Sequence, residues 1–327
     1  MARVVITGVT GQDGSYLAER LVDEGAEVHG LVHSADAATA AFAESHPRIR
    51  LHHGDLGDEE SLRRLLDDVE PDEVYNLGGI SSVALSWKEP VLTGRLSGLA
   101  VTVLLDAATR VQERTGRRVS FVQASSSEIF GDAPSSPQDE STPLSPVSPY
   151  GAAKAYAHHA AAVYRGRGLH VATCILFNHE SPRRPTTFVT RKITSAAAQI
   201  ARTGSGTIRL GNLEARRDWG WAPDYVDAMV RAARHDVAGD FVVATGSTHT
   251  VAEFAEAALR RAGLGDDWER HVESAPEFFR PADTSVMVGD PGRARRELGW
   301  RPTVDFEEVV GRMVDHDLEL VEREAGA

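Results

Sequence analysis

The feature that most constrains this chain lies at its start. Gly8, Gly11 and Gly14 recur every three residues between an apolar run, Arg3–Thr7, and a segment with Leu17, Leu21 and Val22 at helical spacing. Glycines at a strand-to-helix junction allow a tight turn and let backbone N–H groups approach a pyrophosphate at the helix N-terminus. The spacing alone is a weak signal. Its place directly after a strand and directly before a helix makes it a dinucleotide signature. Gly8, Thr10, Gly11, Gln12, Asp13 and Gly14 are therefore candidate cofactor-binding residues.

The same alternation continues through the first half. Glu27–Val32, Ile49–His53, Glu73–Leu77, Arg118–Ala124 and Leu169–Phe177 read as strands, with helices expected at about 58–68, 91–115 and 150–165. Strands separated by helices of this length pair in parallel through right-handed crossovers. The expected fold is α/β, a Rossmann-type doubly wound parallel sheet with a smaller C-terminal substrate-binding lobe. Residues 1–178 form the dinucleotide-binding domain in this reading, catalytic residues included, and 179–327 mostly the lobe, with parts returning to the first domain. Between them, 132–148 carries Pro134, Pro137, Pro143, Pro146 and several serines and reads as a loop. At 327 residues and 42% hydrophobic content the chain has ample material for such a core.

Charge narrows the partners. The net charge of -13 opposes general attraction to nucleic acid or an anionic membrane. The N-terminus runs straight into a strand without a signal peptide, and no apolar run approaches the roughly 20 residues of a membrane span, so a cytoplasmic location is expected. The single cysteine, Cys174, lies in a strand-like run and reads as a buried small residue; no metal site is expected. One segment runs against the overall charge. From Arg183 to Arg217 there are eight basic residues and one acid, Glu214, a local +7. A diphosphate-bearing substrate accounts for that concentration.

The catalytic candidates gather at the end of the fifth strand and in the following helix. Tyr150 and Lys154 are four apart, which puts both side chains on one helix face. An ammonium near a phenol is expected to lower the phenol's pKa, so that tyrosinate acts as a base. Ser125-Ser126-Ser127-Glu128 follows the fifth strand, at the edge where ligands bind in such sheets. A hydroxyl there can bond a sugar oxygen. Glu128 adds a carboxylate that a simple alcohol oxidation or epimerisation does not use. Asp55, after the third strand, is either an adenine contact or a helix N-cap.

With these residues in view, the chain resembles the extended short-chain dehydrogenase/reductases and, within them, the GDP-mannose 4,6-dehydratases. The likeness runs through Gly11-Gln12-Asp13-Gly14-Ser15-Tyr16-Leu17, Gln123-Ala124-Ser125-Ser126-Ser127-Glu128 and Ser148-Pro149-Tyr150. It is most specific in Asn178-His179-Glu180-Ser181-Pro182-Arg183-Arg184 and Arg216-Arg217-Asp218-Trp219-Gly220. The resemblance implies that Tyr150 deprotonates the sugar C4 hydroxyl, with Ser126 and Lys154 as partners, and that Glu128 removes the C5 proton as water leaves C6. It implies further dinucleotide contacts from His33, Asp55, Leu56, Leu77, Gly78, His179 and Arg184. The GDP-sugar would be met by Ser81, Ser126, Asn178, Val189, Lys192, Arg217 and Arg280, with Arg191 also expected at the nucleotide end.

The departures are local. Gly78-Gly79-Ile80-Ser81 stands where the family has Ala-Ala-Gln-Ser, Ser126 replaces a usual Thr, Trp221 a usual His or Phe, and Pro185 a usual Gly. An Arg-Arg pair after the second strand, which reads the NADP phosphate and supports tetramers in the family, is missing; no Lys or Arg lies between Arg20 and Arg48. NADP stays narrowly ahead of NAD on the length of the match. The dinucleotide is expected to be tightly retained and the protein to be a homodimer, with a tetramer also open. The competing activities are a nucleotide-sugar 4-epimerase, a keto-sugar reductase, and a non-catalytic dinucleotide sensor. Glu128 argues against the first two and the Tyr150–Lys154 pair against the third.

Overall fold

A computed structural model describes residues 1–326 except 266, 280, 281, 283 and 285. The chain opens with β1 (Arg3–Thr7), α1 (Gln12–Asp23), β2 (Glu27–Val32), α2 (Ala37–Ser45), β3 (Ile49–His53), α3 (Glu59–Val69) and β4 (Glu73–Asn76). Then come α4 (Val83–Lys88), α5 (Pro90–Gly94), a π-helical turn (Arg95–Leu99), α6 (Ala100–Thr115), β5 (Ser120–Ser126), α7 (Pro149–Gly166) and β6 (His170–Leu176). The remainder holds β7 (Asn178–Glu180), α8 (Val189–Thr203), β8 (Ile208–Leu210), β9 (Arg216–Arg217), β10 (Trp219–Trp221), α9 (Ala222–Arg234) and β11 (Asp240–Val243). It ends with β12 (His249–Thr250), α10 (Val251–Arg261), β13 (Val272–Ser274), β14 (Val286–Met287), α11 (Gly292–Glu297) and α12 (Phe306–Gly326).

Among the described residues the main sheet has seven parallel strands in the order β11-β6-β5-β4-β1-β2-β3. Its central strands are buried on both faces, so their burial does not alternate along the strand. One core layer places Leu17, Leu21 and Met229 on one face of the sheet; a second packs Leu62, Leu66, Leu104 and Val111 on the other. The strand order reverses between β1 and β4, and the crevice at their C-terminal ends is the expected ligand position for this topology.

Local chemistry explains the helix starts. Asp58 caps α3 through Glu60 N, Ser148 caps α7 through Gly151 N, and Thr250 with Glu253 forms a reciprocal capping box on α10. Asp55 takes no part in capping, so of its two sequence readings the cap falls away; its Oδ1 accepts from Gly57 N at 2.7 Å.

The lobe is held by α8, α10 and α12 around Ile193, Phe254, Trp219 and Met313. The chain then returns: α9 packs on α1, β5 and β6, and β11 pairs with β6. One sequence reading needs correction. The Pro90–Thr115 run of α5, the π turn and α6 is long and apolar enough to cross a membrane. Its most apolar 18-residue stretch is 56% buried within the protein, against α3 and α7 among others.

Candidate active site

The β1–α1 loop is shaped by its glycines. Gly8 takes φ +70°, and Gly11 N donates to Gly8 O at 3.0 Å. A Cβ on Gly14 would lie 2.1 Å from Gly8 O, so no larger residue fits the turn. Gly11 is the N-cap of α1 and offers no side-chain bond, which leaves the first-turn N–H groups for a ligand. Gly8 also sits against Gly78, at the end of β4, where a Cβ would meet Gly78 Cα at 3.0 Å.

A buried polar chain crosses the strand ends. Thr7 Oγ1 accepts from Gly78 N at 2.9 Å and donates to Asn76 Oδ1 at 2.7 Å. Asn76 Nδ2 donates to Gln123 Oε1, and Gln123 Nε2 to Ala124 O, both at 2.8 Å. Lys154 Nζ donates to the same carbonyl at 2.8 Å. The loop of β1, the ends of β4 and β5, and α7 are thereby fixed to one another.

Ser126, Ser127, Glu128, Tyr150 and Lys154 line one cleft of about 720 Å3. Gly151 permits this: a Cβ there would come within 2.5 Å of Glu128 O. Ser126 stands beside Tyr150 and lowers its pKa, and Lys154 Nζ stands 5.9 Å from the phenol ring centre. Burial pushes the phenol up to about 12, with Glu128 and Asp13 adding to the rise and Ser126 and Arg184 opposing it. Burial also pulls Lys154 down to about 8. The expected lowering of the Tyr150 pKa by Lys154 is thus absent from this arrangement. Desolvation outweighs the neighbouring charges, and the ammonium is turned toward Ala124 O.

Asp13 reaches across to the segment after β6. Its Oδ2 lies 2.8 Å from His179 Nε2, while His179 Nδ1 lies 2.7 Å from Phe177 O. Burial alone would raise this carboxyl, but His179 and Arg184 hold it down to about 2. Gln12 Nε2 donates to His179 O at 3.1 Å, and Arg184 Nε pairs with Glu180 at 2.9 Å. Gln12, Asp13, His179 and Arg184 form one network between the glycine loop and the lobe.

Comparison with known proteins decides the family. The family model described as GDP-mannose 4,6 dehydratase matches residues 5–313. GDP-mannose 4,6 dehydratase 1 of Arabidopsis thaliana is 44% identical over 98% of this chain and 91% of its own length. The chain belongs to the GDP-mannose 4,6-dehydratase family. Solved relatives share the fold. Thermus thermophilus UDP-glucose 4-epimerase, in complex with NAD, gives a TM-score of 0.84 at 28% identity over 96% of this chain and 98% of that one. Streptomyces venezuelae DesIV, a dTDP-glucose 4,6-dehydratase with NAD bound, gives 0.83 at 26% identity over 97% of each chain.

In this member of the dehydratase family, Ser81, Asn178, Val189, Lys192 and Arg217 line the same cleft as Tyr150. Arg280 lies outside the described residues. Arg191 is a correction: its Nε donates to both carboxylate oxygens of Asp317 on α12 at 3.0 Å, and its Nη1 to Pro182 O. Helical phase sends Arg191 to the lobe core and its neighbour Lys192 to the cleft. The basic segment as a whole is also less of an anion surface than its +7 implies. Arg183 bonds Ser15 and Glu19, Arg209 pairs with Glu277, and Arg216 bonds Thr248.

At the far end of the dinucleotide crevice, His33 Nε2 lies 3.3 Å from Asp55 Oδ2, and Leu56 packs near Gly78. Thr10 is exposed on the rim. Ile80 is not on the cleft wall; its N–H bonds Ser97 Oγ at 2.9 Å. Sequence reasoning missed Trp87, Asn212, Phe278 and Phe279, which also line the cleft. Asn212 and Phe279 lie in strings that the family resemblance covers but were given no role, and no local motif marks Trp87 and Phe278.

Proposed function

We propose that this protein converts GDP-mannose to GDP-4-keto-6-deoxymannose, a hydro-lyase reaction. The observation that carries the reading is Glu128 beside Tyr150 in one cleft. An oxidation or epimerisation at C4 uses the tyrosine and a hydroxyl; elimination of water across C5–C6 needs a further base. The family membership supports the same substrate.

The glycine cradle fits a nicotinamide dinucleotide: the Gly14 position excludes any Cβ, and the first turn of α1 is left uncapped by side chains. The Gly8–Gly14 turn and the first turn of α1 would hold its pyrophosphate, and the oxidised nicotinamide would supply a reversible hydride acceptor and a positive charge near Tyr150. Tyr150 accepts the C4 hydroxyl proton, and Ser126 bonds the C4 oxygen. The resulting ketone acidifies C5, Glu128 removes that proton, and the C6 hydroxyl leaves as water. Lys154, held by Ala124 O, would hold the ribose. Lys192 and Arg217 face the diphosphate and base. Incubation with GDP-mannose tests the reading: a product lighter by one water is expected, and unchanged substrate or an isomer of equal mass rejects it.

For the dinucleotide we infer NAD. The sequence leaves NADP narrowly ahead, but the end of β2 favours a free ribose. Ser34 Oγ and Thr39 N both donate to Asp36, at 2.8 Å each, and hold its carboxyl below the ordinary value. A 2′-phosphate would meet that carboxylate, and the two relatives above carry NAD. Weighing the dinucleotide released on denaturation decides between them.

A homodimer is also part of this reading. Leu92, Leu99, Tyr156 and Val163 are 43%, 56%, 45% and 62% exposed, on α5, the π turn and α7, which pack side by side. Such an apolar strip matches a second copy of itself.

A further inference from the structure

One helical turn reaches three parts of the site from outside it. The π turn Arg95–Leu99 joins α5 to α6, and widened turns of this kind recur at functional sites. Ser97 is buried; its Oγ accepts from Ile80 N at 2.9 Å and donates to Ile80 O at 3.1 Å. One hydroxyl thus takes both backbone groups of a loop residue. Gly79, just before it, has φ +145°, and a Cβ there would meet Ser97 Oγ at 2.8 Å, so the loop is shaped to this hydroxyl. Two residues before Ser97, Arg95 Nη2 donates to Gly57 O at 2.7 Å, and Gly57 N donates to Asp55 Oδ1 at 2.7 Å. Residues two apart on a helical turn face different ways, which carries Arg95 and Ser97 to different loops. Gly98 seats the turn on α7: a Cβ there would lie 3.4 Å from the carbonyl oxygen of Ala153, the residue before Lys154.

The two loops serve opposite ends of the crevice. The loop after β4 is pinned twice. Thr7 Oγ1 takes Leu77 N and Gly78 N at 3.1 and 2.9 Å, next to the glycine turn, and Ser97 takes Ile80. Ser81 and Ser82 follow Ile80 directly and line the cleft. The Thr7 anchor lies before the bend at Gly79 and the Ser97 anchor after it, so the Ser97 bonds govern Ser81 and leave Gly78 to Thr7. The loop after β3, gripped by Arg95, carries Asp55 at the far end of the dinucleotide crevice. We propose that the π turn positions the two ends of the site separately: Ser97 holds Ser81 against the sugar, and Arg95 holds Asp55–Gly57 at the adenine end of the dinucleotide. Both act through backbone groups and are positioning residues. The sugar half rests on the GDP-mannose reading above; the dinucleotide half does not.

The test uses the holoenzyme with Ser97→Ala and Arg95→Met, and two readouts. One is steady-state turnover of GDP-mannose with GDP as a competing inhibitor. The other is exchange of the bound dinucleotide against an excess of labelled NAD or NADP, whichever the protein is purified with. Ser97→Ala leaves Ile80 N–H without its partner, so kcat/KM for GDP-mannose should fall about tenfold, the scale of one buried donor set loose, while inhibition by GDP and dinucleotide exchange stay within about twofold of wild type. Arg95→Met should do the reverse, with exchange faster by about threefold or more and kcat/KM near wild type. A general loosening of the fold would move both readouts in both variants alike; that result overturns the proposal, as does a wild-type kcat/KM in Ser97→Ala. If wild type does not turn over GDP-mannose, the substrate reading fails by itself and exchange decides the rest. Acceleration in Arg95→Met and not in Ser97→Ala then supports separate positioning, and any other pattern rejects it.

Discussion

The ammonium of Lys154 and the carbonyl oxygen of Ala124 are 2.8 Å apart, the last link of the chain that begins at Thr7. Burial sets the pKa of this lysine at about 8, so the donating form is present below that pH and is lost as pH rises through it. Retention of the dinucleotide should therefore weaken above about pH 8. Dialysis at rising pH followed by measurement of bound dinucleotide checks this. Lys154→Met should retain little cofactor at any pH, and a pH-dependent loss surviving in that variant would assign the limb to another group.

Glu128→Gln should fold, bind GDP-mannose and keep its dinucleotide, while turnover falls by about 10²–10⁴, the usual scale for loss of a general base. Incorporation of solvent deuterium at C5 should fall in parallel. Near-normal turnover would remove Glu128 from the reaction. Tyr150→Phe should likewise lose turnover and keep the dinucleotide.

Gly151→Ala probes the same carboxylate from behind. The new Cβ would lie 2.5 Å from Glu128 O, and both atoms belong to backbone held by the core. The expected result is a displaced Glu128, with turnover down at least about tenfold and a stability loss of about 1–3 kcal/mol, the usual range for overpacking. Thermal unfolding and steady-state kinetics report the two effects separately; unchanged kinetics would mean that Glu128 tolerates the shift.

Asp13→Asn should destabilise the protein in a pH-dependent way. The carboxyl falls from 3.8 to about 2 on folding. A tenfold change in acidity is worth about 1.4 kcal/mol, so the depression corresponds to about 2 kcal/mol. Because the folded value is the lower one, this stability is present above the unfolded value and is lost as pH falls through about 2. Urea titrations should show wild type ahead at neutral pH and the gap closing on acidification. A gap independent of pH would indicate a packing effect.

Leu99→Glu places a charge on the exposed apolar strip. A dimeric wild type and a monomeric variant in sedimentation would support the strip as the self-association face; identical assembly in both would place the interface elsewhere.

The legible parts of this protein are those set by neighbouring residues. Gly8 to Gly14 and the four-residue step from Tyr150 to Lys154 obey local rules, and each could be read without its surroundings. What the sequence hid depends on the fold as a whole. Arg191 and Lys192 are adjacent and alike in charge, yet only α12 and Asp317 decide which of them reaches the cleft. The upward shift of Tyr150 comes from burial, which no spacing reveals. The helix α2 buries none of its residues and so has no apolar face to betray it, and β9, β12 and β14 are two residues long.

The pairing of β11 with β6 bears on how the molecule is made. A ribosome that has delivered every residue from Gly8 to His179 has still not delivered the strand that closes this side of the sheet. Until Asp240–Val243 follows, the outer edge of β6 presents bare N–H and C=O groups around Cys174, an invitation to any other extended chain. Folding during synthesis is thus expected to wait for much of the lobe. Cutting the chain between β6 and β11 should yield an aggregating fragment rather than a free-standing dinucleotide domain.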